Sequence, residues 1–168
     1  MSLSMYQASV PVFIRMLGHL SGILDKAAAH AEAKKINPTV FMNARLAPDM
    51  LPLTFQVQMV CDSAKGCAAR LAGIEVPSHP DTESSFPELK ARIEKTLAFL
   101  KTVDAAQVDG SEDRKITLKL GGREFQFVGQ SLLLHFALPN FYFHLTTAYA
   151  ILRHNGVDIG KLDFIGQL

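Results

Sequence analysis

The chain has little cysteine, no excess of either charge and no long uninterrupted apolar run, and each shortage removes a class of function. Cys61 and Cys67 are the two cysteines in 168 residues. Both fall in what reads as one helix, where a spacing of six turns them about 120° apart round the axis, too divergent for a disulfide. No further cysteine exists to complete a thiolate metal site. Reduced thiols in a cytoplasmic protein are the reading that follows. Cys67 makes a poor catalytic nucleophile, because nothing nearby in the sequence supplies the cationic setting that lowers a thiol pKa.

Seventeen basic and sixteen acidic residues leave a formal charge of +1, and the Lys and Arg are scattered. A phosphate backbone needs a basic stripe, so nucleic acid is not an expected partner. The N-terminus has no basic region ahead of an apolar run. The longest apolar stretch is interrupted by His135, Pro139, Asn140 and His144, which argues against both a signal peptide and a membrane span.

What is present fits one globular domain over residues 1–168, with 48% hydrophobic residues and enough length to bury about 70% of its unfolded surface. Tyr6, Val10, Phe13, Leu17, Leu20 and Leu24 recur at three and four residues, which predicts a first helix from about Leu3 to Lys35. Pro11 lies near its start, and His19 and His30 flank the stripe as exposed or rim residues. Asn37-Pro38 ends it. Asp49 is then the expected N-cap of a second helix, with Pro52 in its first turn and an end near Gly73. Its inner stripe is Leu53, Gln56, Val60, Ala64 and Cys67. Gln56 is thus an amide on a buried face, and an unbonded one costs roughly 1–3 kcal/mol, so it must meet a partner.

Gly73 to Phe86 holds two prolines among small polar residues and reads as a loop. It is long enough to carry the chain across the bundle, so that the next helix starts at the same end as the second. His79 within it reads as solvated. The third helix, from Pro87 to about Val103, presents Leu89, Ile93, Leu97 and Leu100 inward and shows no chemistry. The period then changes from helical to alternating. A turn at Gly121-Gly122 sets Leu118 opposite Phe125, Ile116 opposite Phe127 and Lys119 opposite Glu124, the pattern of a half-buried hairpin.

The last helical segment has its first part at Gln130 to Leu138, and Pro139 marks a break or restart. Asn140 and His144, four apart, share one face, with Thr147 a turn further on. Leu138, Phe141, Phe143, Leu145, Ile151 and Leu152 make this helix apolar on nearly every side and therefore buried. Tyr142 and Tyr149 read as packing residues with hydroxyls at the rim. His154 suits the C-terminal dipole. Arg45 and Asp49 could line the bundle mouth, though a local cap explains them. The tail from Val157 to Leu168 reads as too short and too glycine-rich for an element of its own and is expected to dock on the bundle or on a second subunit.

This element order, with HLTTAYAILRHNGV, resembles the DinB/YfiT-like four-helix-bundle superfamily. RLAPDMLPLTFQV and LPNFYFHLTTAYAILRHNGV resemble a bacterial branch known only as a domain of unknown function. The resemblance spans essentially the whole chain and implies an all-α bundle with a long crossover between helices two and three and a small β-hairpin before helix four. It also implies a three-histidine metal site, one ligand from the second helix and two at i, i+4 on the fourth, and for some members a thiol-dependent transferase activity. In this sequence those positions fall on Gln56, Asn140 and His144. Amide oxygens are weak ligands for zinc or nickel, so no tightly held metal is expected and weak binding is the most that His144 should support. His135 could supplement it only if Pro139 reorients the segment, since nine residues place the two about 180° apart.

The leading expectation is therefore a small-molecule-binding or vestigial member with a polar pocket at Gln56, Asn140 and His144, accompanied by Tyr142 and His135. A satisfied hydrogen-bond cluster in the core is the plainer account of the same three residues. The alternatives are a metal-dependent hydrolase or thiol transferase using His144 as a ligand, and a structural or stress-associated protein without pocket chemistry. A homodimer through helix faces and the apolar tail is expected.

Overall fold

The computed structural model describes residues 3–167. Four long helices form the bundle: α1 (Val10–Lys34), α3 (Leu53–Ala72), α4 (Phe86–Leu100) and α7 (Leu138–His154). Between them lie α2 (Pro38–Asn43), α5 (Ala105–Val108), strands β1 (Lys115–Leu120) and β2 (Arg123–Val128), and α6 (Gly129–Ser131). A π-helical stretch, Leu132–Ala137, joins α6 to α7, and α8 (Lys161–Ile165) closes the chain. Phe13, Leu17, Leu20 and Leu24 of α1, Leu53, Val60 and Ala64 of α3, and Leu89, Ile93 and Leu100 of α4 are all buried in one core with Phe141, Leu145 and Leu152 of α7.

Helix α1 starts later than its apolar stripe suggests. Pro11 has no N–H to donate one turn back, so the helix cannot be propagated through it toward Leu3. Residues ahead of it form turns instead, and the Tyr6 N–H is taken by Asp109 Oδ1 at 2.8 Å. Asp49 does not cap the second long helix. It is exposed in a turn, Pro52 is the residue before the first helical one, and an additional short helix, α2, precedes it with Asn37 accepting from the Thr39 N–H at 3.0 Å. The helix ends at Gly73 in the left-handed conformation, φ 71°.

Contacts along α3 and α4 fix their relative direction. Gln58, near the start of α3, bonds Glu83 just before α4, and Asp62 one turn further bonds Arg92 one turn into α4. The two helices are therefore parallel, and the chain from Gly73 to Ser85 crosses the bundle to begin α4 beside the start of α3. Ser85 caps α4 through the Glu88 N–H. The third long helix is not free of chemistry. Arg92 is 3% exposed and pairs with Asp62 at 2.9 Å, Asp81 at 2.9 Å and Glu83 at 3.0 Å, while Asp62 also binds the buried Lys65 at 2.7 Å. This network ties the crossover loop to α3 and α4.

The hairpin has the expected register, with Ile116 opposite Phe127, Leu118 opposite Phe125 and Lys119 opposite Glu124. Gly121 and Gly122 take φ 54° and 77°, the positive values that a two-residue turn of this kind requires. Ile116 and Leu118 are buried against the bundle. Gly129 permits the return to the bundle, because a Cβ there would lie 2.0 Å from the Ser111 carbonyl oxygen. The tail does form an element. Helix α8 lies on α1, where Arg15 reaches the Ile165 carbonyl at 3.1 Å and His19 the Phe164 carbonyl at 2.9 Å.

The Arg92 network generates a stability prediction. Burial opposes ionisation of Glu83, but hydrogen bonds from Gln58 and Arg92 outweigh it and hold the carboxyl below its ordinary 4.5. Its contribution is present above that value and is lost as pH falls through the lowered folded-state pKa. Arg92→Met should lower the urea-unfolding free energy at neutral pH by about 3 kcal/mol, because the partly buried carboxylates of Asp62 and Glu83 lose their buried cation. Asp25→Ala, which removes the exposed pair with Lys90, should change it by less than about 1 kcal/mol. Equal effects would show that the buried network does not hold the crossover.

Candidate functional site

Helices α3 and α7 run antiparallel and make the most extensive helix contact of the bundle, and the polar residues singled out by spacing lie along this seam. Gln56, 2% exposed, stands in the first turn of α3 opposite His144. Its amide nitrogen donates to the Leu51 carbonyl at 2.8 Å, and its Oε1 lies 2.8 Å from His144 Nδ1. With the amide nitrogen committed to Leu51, Oε1 can only accept, so Nδ1 of His144 carries the proton and Nε2 of the neutral ring is left unprotonated. Phe55 and Phe143 meet the imidazole edge-on, with centroids 6.1 and 5.1 Å away. Burial lowers the His144 pKa from its ordinary 6.5.

Asn140 follows a different course. Its amide donates to Ser63 Oγ at 2.7 Å, two turns along α3 from Gln56. Gln56, Asn140 and His144 thus share the seam but form two separate bonds, and the expected single cluster is replaced by two adjacent ones. Asn140 opens onto a cleft of about 350 Å³. One wall is Met59, Ser63, Cys67 and Arg70 of α3, and the hairpin residues Leu118, Lys119 and Leu120 roof it. Leu132, Phe136 and Ala137 of the π-helical stretch complete it with Asn140.

The π-helical stretch has a local cause. Pro139 has no N–H for its turn of helix, and the ladder adjusts ahead of it, with the Leu138 N–H bonding the Leu133 carbonyl five residues back. Pro139 therefore neither breaks nor restarts the helix. The extra residue per turn shifts Leu132 and Phe136 toward the hairpin, where Phe136 packs on Phe127 at 5.7 Å.

The remaining sequence candidates lie elsewhere. His135 is exposed, with its ring near Ser131 Oγ at 3.3 Å, so Pro139 does not turn it toward His144. Tyr142 packs edge-on against Phe141 and lines a shallow groove with Phe143 and Leu46. Tyr149 meets Phe164 of α8, Arg45 bonds the Met50 carbonyl at 2.6 Å, and His154 is exposed in the last turn of α7. Cys61 and Cys67 are free and buried; a cation, Arg70, does lie near Cys67, but burial outweighs it and pushes both thiols up to about 12. Ser63, Arg70 and Arg92 were not singled out by sequence. The available signal for Ser63 was its spacing of seven from Gln56, two turns on one face.

At the positions where the resemblance implies a metal, the donor set is one imidazole and two amides. The Gln56 amide is engaged at both ends and the Asn140 amide is turned to Ser63. Among the described residues no three His, Cys, Asp or Glu side chains come together to hold an ion. The residues present do not fit a three-imidazole centre.

Two parallel helices joined by a crossover, a hairpin before the last helix, and polar side chains of the second and fourth long helices facing across a seam define a DinB-like four-helix bundle. The chain belongs to the family described as Domain of unknown function (DUF1993), which matches residues 5–165. It is 40% identical to a DinB family member from Shewanella denitrificans, whose crystal structure superposes with a TM-score of 0.88 over 97% of this chain and 92% of that one. No curated protein matches.

The His144 environment gives a pH prediction. A histidine whose folded pKa is lowered binds fewer protons folded than unfolded, so its contribution is complete above 6.5 and is lost as pH falls below it. His144→Gln keeps a donor toward Gln56 and removes the titration. Unfolding free energy measured from about pH 8 to about pH 5 should fall less steeply in this variant than in wild type. The remaining slope in that range includes His79, whose pKa burial also lowers. Identical slopes would place His144 in solvent.

Proposed function

We propose that this protein is a small-molecule-binding member of its family, working in a reducing, cytoplasmic setting, with its ligand in the cleft between α3, the hairpin and the π-helical stretch. The observation that carries this reading is the composition of the cleft. Apolar walls from Met59, Leu118, Leu132 and Phe136 converge on the bonded pair Ser63 and Asn140, the arrangement by which pockets combine affinity with orientation. A π-helical segment lines it, and such segments are frequent at functional sites.

Binding is favoured over catalysis by the state of the reactive groups. The Cys67 thiol stays protonated, and Asp62 is already held by Arg92 and Lys65. The pair Gln56 and His144 serves the same seam as a fixed hydrogen bond and does not line the cleft. One imidazole with amide neighbours should hold zinc or nickel only weakly, to be lost on gel filtration.

Calorimetric titration with decanol, an uncharged apolar probe, should show saturable binding to the wild type. Met59→Trp, which fills the cleft from α3, should weaken it by at least about tenfold, equivalent to about 1.4 kcal/mol. Absence of binding, or binding indifferent to the substitution, would overturn the reading. Tight zinc binding by the wild type would favour the metal-dependent alternative with His144 as ligand.

We also propose a homodimer through the outer face of α7. Phe143, Leu51 and Leu46 are 57%, 46% and 41% exposed, and Phe143 and Leu46 line one shallow groove. Exposed apolar surface of this kind marks contacts. In the tail, Val157 and Ile159 are buried on the chain's own bundle, while Leu162 is 64% exposed and available to the same contact. Sedimentation at micromolar concentration should give a dimer for the wild type and a monomer for Phe143→Glu. A monomeric wild type contradicts it.

A further inference from the structure

Among the described residues, one charge in the cleft has no countercharge. Arg70 lies on its wall, and no carboxylate pairs with it among the described residues. Burial pushes its pKa down; the Cys67 thiol opposes this only in part, and no carboxylate contributes. The other charged groups lining the cleft are occupied: Asp62 by Lys65 at 2.7 Å and Arg92 at 2.9 Å, Lys119 by Glu124 at 3.0 Å. A partly desolvated guanidinium without an anion is an unfavourable arrangement that a ligand can relieve.

A second observation shows that its position is built in. The side chain of Arg70 folds back along α3 onto Gly66, where an added Cβ would lie 2.6 Å from Nη1, and no side chain other than Arg70 comes within 4 Å of that point. Glycine weakens a helix interior, and the neighbouring positions of α3 carry Ala64, Ala68 and Ala69. Alanine at position 66 is therefore opposed by the guanidinium alone. Folded back in this way, the guanidinium stands roughly one helical turn, about 5 Å, from Ser63. The Ser63 hydroxyl accepts from Asn140, which leaves its own proton free to donate.

Resting on the small-molecule reading above, we propose that the cleft binds small carboxylic acids with an apolar body. Arg70 and Ser63 hold the carboxylate, and Leu118, Leu132 and Phe136 enclose the hydrocarbon. The planar fork of arginine matches a carboxylate in two parallel bonds. A dianionic phosphate is disfavoured, because Asp62 also lines the cleft and would repel the second charge.

The test compares decanoate with decanol by calorimetry near neutral pH, for the wild type, Arg70→Met and Gly66→Ala. The wild type should bind decanoate at least about tenfold tighter than decanol. Arg70→Met should bring the decanoate affinity down to that of decanol. Gly66→Ala should do the same by displacing the guanidinium while raising Tm, so the test survives even if Arg70→Met folds poorly. Decanoate binding no tighter than decanol in the wild type, or an advantage that persists in both variants, overturns the carboxylate assignment. In that event saturable decanol binding leaves the small-molecule reading standing, whereas failure of both probes removes the two together.

Discussion

Helix α3 is enclosed on nearly every side, so each polar side chain it carries must be matched by a neighbouring element. That requirement organises the rest of the chain. Gln56 is matched by His144 of α7, Gln58 by Glu83 of the crossover, Asp62 by Arg92 of α4 and Ser63 by Asn140 of α7. These bonds set the antiparallel register of α3 against α7 and its parallel register against α4. The apolar core supplies the driving force for collapse, but it is not directional, and the polar bonds select which collapsed arrangement is satisfied. Arg70 stands outside this scheme, with no carboxylate partner among the described residues, and it lies at the wall of the cleft beneath the hairpin.

The cleft follows from a backbone adjustment. Proline at position 139 forces the π-helical turn before it, and that turn brings Leu132 and Phe136 under the hairpin. The hairpin could not stand alone, because two strands bury too little surface to be stable in isolation. It rests on the bundle through Ile116 and Leu118 and becomes the roof of the cleft. The same two features that depart from an ideal four-helix bundle, the ribbon and the widened turn, thus create a place where apolar walls and polar donors meet.

Much of the fold was legible because it depends on periodicity. The inner stripe of α3, the i, i+4 face of α7 and the pairing of Leu118 with Phe125 all follow from spacing, and all are present. Asp49 misled because capping preference is local, whereas Leu51-Pro52 and the additional helix α2 fix where α3 begins. The tail docks on the bundle as expected, but its helix was missed because one-turn α8 is supported by α1, through Arg15 and His19, and not by its own propensity. Arg92 escaped because an arginine beside an inner stripe looks solvated until the crossover returns Asp81 and Glu83 to it. In the candidate site, Gln56 was recognisable as a buried amide in need of a partner, and His144 as its plausible mate. The separation of Asn140 onto Ser63, and the fit of Arg70 over Gly66, depend on side-chain direction across two helices, which spacing alone does not specify.

The central claim is that recognition takes place in the cleft beneath the hairpin and not at the bond between Gln56 and His144. Backbone amide shifts of the isotope-labelled protein, followed during addition of decanol and separately of zinc, test it most directly. The account predicts saturable changes with decanol at Ser63, Leu118, Leu120, Phe136 and Asn140, and only weak, unsaturated changes with zinc. Saturable zinc-induced shifts centred on Gln56 and His144, with the cleft residues unmoved by decanol, would contradict it.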